Sequence, residues 1–85
     1  MLNANLKSLN LQGNYIKVIE HIEGLQNLRE LNLSWNRIRE LEGVKRLSNL
    51  RTLMLDNNKI EKIEGIKYLR KLDRLSLNGN FIKDM

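Results

Sequence analysis

The aliphatic residues of this chain recur with a period that belongs to neither a helix nor a strand. From Ile16 they fall at Ile19, Ile22, Leu25, Leu28 and Leu31, then at Leu33, and after a gap at Ile38. The same order of steps restarts at Ile38, through Leu41, Val44, Leu47, Leu50, Leu53 and Leu55, and again at Ile60, through Ile63, Ile66, Leu69, Leu72, Leu75 and Leu77. Five steps of three, one of two and one of five make a unit of 22 residues, so that Leu6, Leu28, Leu50 and Leu72 open successive units. In an α-helix of 3.6 residues per turn, a step of three drifts by about 60° each time and smears the apolar side chains around the axis. A coiled coil alternates steps of three and four, which this pattern does not. A chain that returns to the same axis once per unit satisfies it: each coil turns its aliphatic side chains inward, and the coils stack.

The single step of two marks a strand. In Leu9-Asn10-Leu11, Leu31-Asn32-Leu33, Leu53-Met54-Leu55 and Leu75-Ser76-Leu77 the leucines face inward and the middle residue outward. Successive coils run the same way, so these strands are predicted to pair in parallel. The threefold spacing that follows suits extended or 3₁₀ turns on the back of each coil. Asn14, Asn36, Asn58 and Asn80 each follow a strand by three residues. A buried turn leaves backbone N–H and C=O groups without sheet partners. An amide side chain carries two donors and an acceptor, so an Asn can satisfy its own turn and the neighbouring coil.

The unit L-x-x-L-x-L-x-x-N-x-I-x-x-I-E-G-I-x-x-L-x-x resembles the leucine-rich repeat, in the 22-residue subclass typified by a nuclear regulatory subunit of protein phosphatase 1. Bacterial internalins use a similar length, but the E-G-I/L step looks more like the eukaryotic form. The resemblance runs from Leu6 to the end of the chain. It implies an α/β leucine-rich repeat right-handed solenoid: a parallel sheet of about four short strands on the concave face and 3₁₀ or extended turns on the convex face. Residues 1–85 are then a single domain, with three full repeats from residues 6, 28 and 50 and a partial repeat from 72. The four asparagines become the family's asparagine ladder.

Composition narrows the function classes. With 85 residues and no Cys, neither disulfides nor a thiolate metal site can support the fold. No apolar run reaches the length of a membrane span, and Met1 to Asn5 do not read as a signal peptide. The expected setting is cytoplasmic, with nuclear or axonemal scaffolding implied by the resemblance. Glu20, Glu42 and Glu64 form a column of like charges, with Lys17, Arg39 and Lys62 near enough in sequence to offset it. Stacked carboxylates do not converge as metal ligands do, so no metal or cofactor is expected. The sole His, His21, falls where other units have Gly43 and Gly65, and is expected at the surface. One His, no Cys and no nucleophile–base constellation argue against an enzyme.

A non-enzymatic protein-interaction module is the expected function. The resemblance places the partner on the concave face, and the residues expected to carry specificity are Arg29, Glu30, Asn32, Trp35, Arg51, Met54, Asp56 and Arg74. Outward strand positions and their flanks carry four bases (Lys7, Arg29, Arg51 and Arg74) and three acids (Glu30, Asp56 and Asp73). Most of the net charge of +5 therefore lies on the back and edges. The alternative is binding of nucleic acid or an acidic partner by that basic surface. It ranks second, because a nucleic-acid binder needs a basic stripe with stacking aromatics, whereas the concave face has one aromatic at most and only a short basic strip of Lys7, Arg29 and Arg51, interrupted at Asp73. Lys45, Arg46, Lys67, Arg70 and Lys71 read first as a solvated face.

Trp35 occupies the second turn position after its strand, matching Gly13, Asn57 and Gly79. The column looks tolerant of anything from Gly to a large ring. Packing over the turn and a role in binding both stay open, with packing preferred. Neither end of the array carries a recognisable polar cap. The expected explanations are, in order, a fragment of a longer array, self-association through uncapped ends, and fraying.

Overall fold

The computed structural model describes residues 3–83. Four strands, β1 (Ser8–Asn10), β2 (Glu30–Asn32), β3 (Thr52–Met54) and β4 (Arg74–Ser76), form one parallel sheet in chain order. The register places Leu9, Leu31, Leu53 and Leu75 in a single row, one per coil. Identical spacing in every unit leaves no other in-register pairing that keeps the leucines on one face.

The strands lie one residue earlier than the Leu-x-Leu triplets suggest. The second leucine of the triplet nevertheless continues the ladder: the N–H groups of Leu11, Leu33 and Leu55 donate to Asn32, Met54 and Ser76, each at 2.8 Å. At the other end, the carbonyl of Lys7 accepts from both Arg29 (2.8 Å) and Glu30 (3.0 Å). Arg29 and Arg51 repeat that arrangement toward the next coil.

On the convex side the E-G-V and E-G-I steps become short 3₁₀ helices, Glu42–Val44 and Glu64–Tyr68. Their glycines are needed for closeness. A Cβ on Gly43 would lie 2.0 Å from the carbonyl oxygen of Ile19, and one on Gly65 would lie 2.4 Å from that of Leu41. His21 occupies the equivalent place in the first coil, adopts a left-handed backbone (φ 64°) and projects an exposed imidazole.

The core is one continuous column of aliphatic side chains. Leu28, Leu31, Leu33, Ile38, Leu41, Val44, Leu47, Leu50, Leu53, Leu55 and Ile60 are sealed from solvent. Leu6, Leu9, Leu11 and Ile16 at one end, and Leu72, Leu77 and Ile82 at the other, are only partly covered, and Leu75 is 38% exposed. Among the described residues no helix is long and apolar enough to cross a membrane.

Candidate functional site

The asparagine column supports the turn beside the sheet. Asn36 Nδ2 donates to Leu33 O (2.9 Å) and Ser34 O (3.3 Å) in its own coil and to Leu11 O (3.1 Å) in the coil before. Its Oδ1 accepts from the N–H of Ile16 (3.0 Å). Asn58 and Asn80 repeat the pattern one and two coils on. Asn14 differs. It is exposed and, among the described residues, bonds only within its own turn, to Leu11 O at 2.9 Å and Gln12 O at 3.5 Å. Among buried side-chain polar atoms of the described residues, none lacks a partner. Asn36, Asn58 and Asn80 are thus fully engaged in holding the coils in register.

The neighbouring column has a conformational requirement that its residue types concealed. Gly13, Trp35, Asn57 and Gly79 all have positive φ, at 76°, 59°, 57° and 71°. Gly and Asn enter this region readily, whereas a bulky side chain does so at a cost of roughly 1–2 kcal/mol. The column is therefore selective, contrary to the tolerance its residue types suggest, and Trp35 is its exception. The indole is 60% exposed, so burial does not offset the backbone cost in the isolated domain.

The proposed specificity residues lie on the sheet and its borders, but their freedom differs. Arg29, Glu30 and Arg74 are exposed, and Met54 is half-buried at the end of β3. Arg51 lies 3.7 Å from Asp73 in an exposed ion pair. Asn32 is tied into the structure, its Oδ1 accepting from Ser34 N (3.0 Å) and its Nδ2 donating to Gln12 Oε1 (2.8 Å). Asp56 is tied more firmly. Its Oδ1 accepts from the Ser76 hydroxyl and from Asn78 N (2.9 Å), while its own N–H donates to Ser34 Oγ (3.1 Å). Asp56 thus links the second, third and fourth coils. The freely presented chemistry is Arg29, Glu30, Trp35, Met54 and Arg74. An open cavity of about 390 Å³ adjoins it, bordered by Lys7, Arg29, Glu30, Arg51, Asp73 and Arg74.

Two of the three residues of the Glu column have partners close by. Glu42 pairs with Lys45 at 3.0 Å, one 3₁₀ turn away, and Glu20 lies 3.8 Å from His21. Lys17, Arg39 and Lys62, the bases nearest in sequence, form none of these pairs among the described residues. Sequence reasoning missed a second amide column. Asn27 Nδ2 donates to Ala4 O (3.3 Å) and Asn49 Nδ2 to Gln26 O (2.6 Å), bracing the return leg. The repeat of Asn27 and Asn49 at the unit spacing was its signal.

A one-sheet stack of closed coils, braced by amide ladders and presenting one ordered row of strand side chains, defines the class: a repeat solenoid. The chain belongs to the leucine-rich repeat family, whose model matches in two copies over residues 4–46 and 48–85. Among solved structures, it is similar to internalin C2 of Listeria monocytogenes, with 36% identity and a TM-score of 0.92 over 96% of this chain and 36% of that one. It is also similar to internalin F of the same organism (33% identity, TM-score 0.91, 95% of this chain and 24% of that one). A leucine-rich repeat protein of Leptospira interrogans matches at 33% identity and a TM-score of 0.84, over 98% of this chain and 24% of that one. The chain therefore spans about a third or less of the length of these neighbours. Among curated proteins no relative matches the sequence. Leucine-rich repeat domains generally mediate protein–protein interaction and are typically non-enzymatic.

Proposed function

We propose that this chain is a non-enzymatic module that binds a protein partner on the concave sheet, with Trp35 at the centre of contact. One observation carries the reading. Trp35 is the bulky member of a left-handed column otherwise filled by Gly and Asn, and its ring is exposed. A strained backbone that supports an exposed indole is accounted for when a partner covers that indole. Arg29, Glu30, Met54 and Arg74 add two cations, a carboxylate and an adaptable thioether along the strands that lead to the turn. Arg51, Asn32 and Asp56 complete the surface as residues already held in place by internal bonds. The sheet is rigid, so little ordering entropy opposes binding.

The E-G-V and E-G-I steps support grouping the chain with the subclass that includes the nuclear regulatory subunit of protein phosphatase 1. That grouping carries a cytoplasmic, nuclear or axonemal scaffold role with it. The test is affinity capture from an extract of the source cells, comparing wild type with the double variant Trp35→Ala plus Met54→Ala and with a convex control, Lys67→Ala plus Arg70→Ala. A partner retained by wild type and the control but lost by the double variant is the expected result. Equal recovery by all three removes the concave face.

A further inference from the structure

A second binding surface lies off the concave sheet, and its geometry is independent of the reading above. Where each coil leaves its strand turn, the backbones pack as closely as strands: Arg37 N donates to Ile16 O (2.8 Å), Lys59 N to Ile38 O (2.9 Å) and Glu61 N to Arg39 O (3.4 Å). This stacks Arg37 beside Lys59 and Lys17 beside Arg39, at a backbone spacing of about 4.8 Å. The four cations border a half-open groove of about 840 Å³. Its lining, Lys45 included, holds five bases against two acids, Glu40 and Glu42, a balance of +3 out of the chain's +5. The positive charge that the concave face lacks is gathered here.

Lys45 is occupied by Glu42 at 3.0 Å. Among the described residues, Lys17, Arg37, Arg39 and Lys59 take part in no ion pair. The guanidinium of Arg37 rests on the ring of Tyr15, 4.7 Å from its centroid, which orients it while leaving its N–H edge open to a carboxylate. Val18, an aliphatic residue 62% exposed, also lines the groove. Cations that repel one another around an exposed aliphatic spot match a ligand that brings both carboxylates and an apolar side chain.

We propose that this groove binds an acidic segment of a protein partner in extended form, its Asp and Glu side chains meeting Lys17, Arg37, Arg39 and Lys59 and one aliphatic side chain resting on Val18. Two features favour a peptide over a nucleic acid. Glu40 and Glu42 in the lining repel a continuous phosphate backbone, whereas a peptide sets its charges residue by residue. Arg37 takes one face of the Tyr15 ring, which leaves a single ring face for stacking and no run of aromatics for successive bases.

The test is fluorescence anisotropy with the full chain and a labelled peptide carrying Glu and Asp around a central Leu, against the same peptide with Gln and Asn in their place. A single-stranded oligouridylate of similar length is the third probe. The protein variants are Arg37→Glu plus Lys59→Glu and, as an equal change of charge outside the groove, Lys67→Glu plus Arg70→Glu. Thermal melting of each verifies the fold. At physiological salt the acidic peptide is expected to bind about tenfold more tightly than its neutral counterpart, and groove reversal to abolish that difference while the remote reversal preserves most of it. Backbone amide shifts should move at Val18 and Arg39. Three results overturn the proposal: no preference for the acidic peptide, equal weakening by both reversals, or oligouridylate binding that matches the acidic peptide and is lost on groove reversal.

Discussion

Trp35 is where the backbone's preference and the surface's chemistry oppose each other. Its φ of 59° suits Gly or Asn, and its ring lies largely in solvent. Trp35→Gly should therefore leave the fold at least as stable, with a gain of up to about 1 kcal/mol after the extra unfolded-state freedom of Gly is subtracted. The same variant should weaken partner binding by about 2 kcal/mol or more if the indole is the anchor. Urea melts and binding isotherms on one preparation separate the two effects, and a large loss of stability would show that the indole holds the turn after all. Gly79 offers the converse. It has φ 71°, and an added Cβ would meet Asn57 Oδ1 at 2.4 Å, so Gly79→Ala should destabilise by about 1–2 kcal/mol. Gly, Asn and Gly in three of four positions hinted at the left-handed turn, but the large ring in the fourth masked the signal.

The coil is held to its neighbour by contacts that a stacking distance near that of strands makes possible. Gly43 shows how little room exists, since its Cβ would fall 2.0 Å from a backbone oxygen that cannot rotate away. Gly43→Ala must push the first two coils apart and should cost about 3 kcal/mol. Gly24→Ala, with nothing within 4 Å, should be close to neutral, and the comparison in thermal melts isolates the close approach from any general effect of glycine. The amide ladder has a similar gradient. Asn58 is buried and serves Ile38, Leu33 and Leu55, so Asn58→Ala leaves several buried backbone groups without partners and should cost about 3 kcal/mol or more. Among the described residues Asn14 has only exposed bonds within its own turn, and its alanine variant should cost less than about 1 kcal/mol.

The molecule as a whole is a short one-dimensional stack, in which each coil is stabilised by the coils beside it. The second and third coils have neighbours on both sides and contain most of the sealed leucines, while Leu9 and Leu75 lie in the partly covered coils. Opening should therefore begin at the outer coils and leave the central ones closed. Native-state hydrogen exchange checks this: the amides of Leu33 and Leu53 should exchange far more slowly than those of Leu6 and Leu72. Uniform protection would mean that the stack opens only as a unit. Charge is distributed on the same plan, with a nearly balanced sheet and a basic groove on the edge that follows it.

Much of this was already legible in the chain. The unit length, the parallel pairing, the inward leucines and the Asn column follow from spacing, because a repeat of fixed length has one way to bury a periodic aliphatic set. The residues of the concave surface could be named for the same reason, since alternation along a strand assigns a face. Spacing is silent on what depends on contacts between coils. The left-handed column, the closeness at Gly43 and Gly65, the engagement of Asp56 and the pairing of Glu42 with Lys45 arise only once backbones stack and set side chains from different repeats against one another. The groove of Lys17, Arg37, Arg39 and Lys59 is of that kind: each cation is unremarkable in its own repeat, and stacking brings the four together.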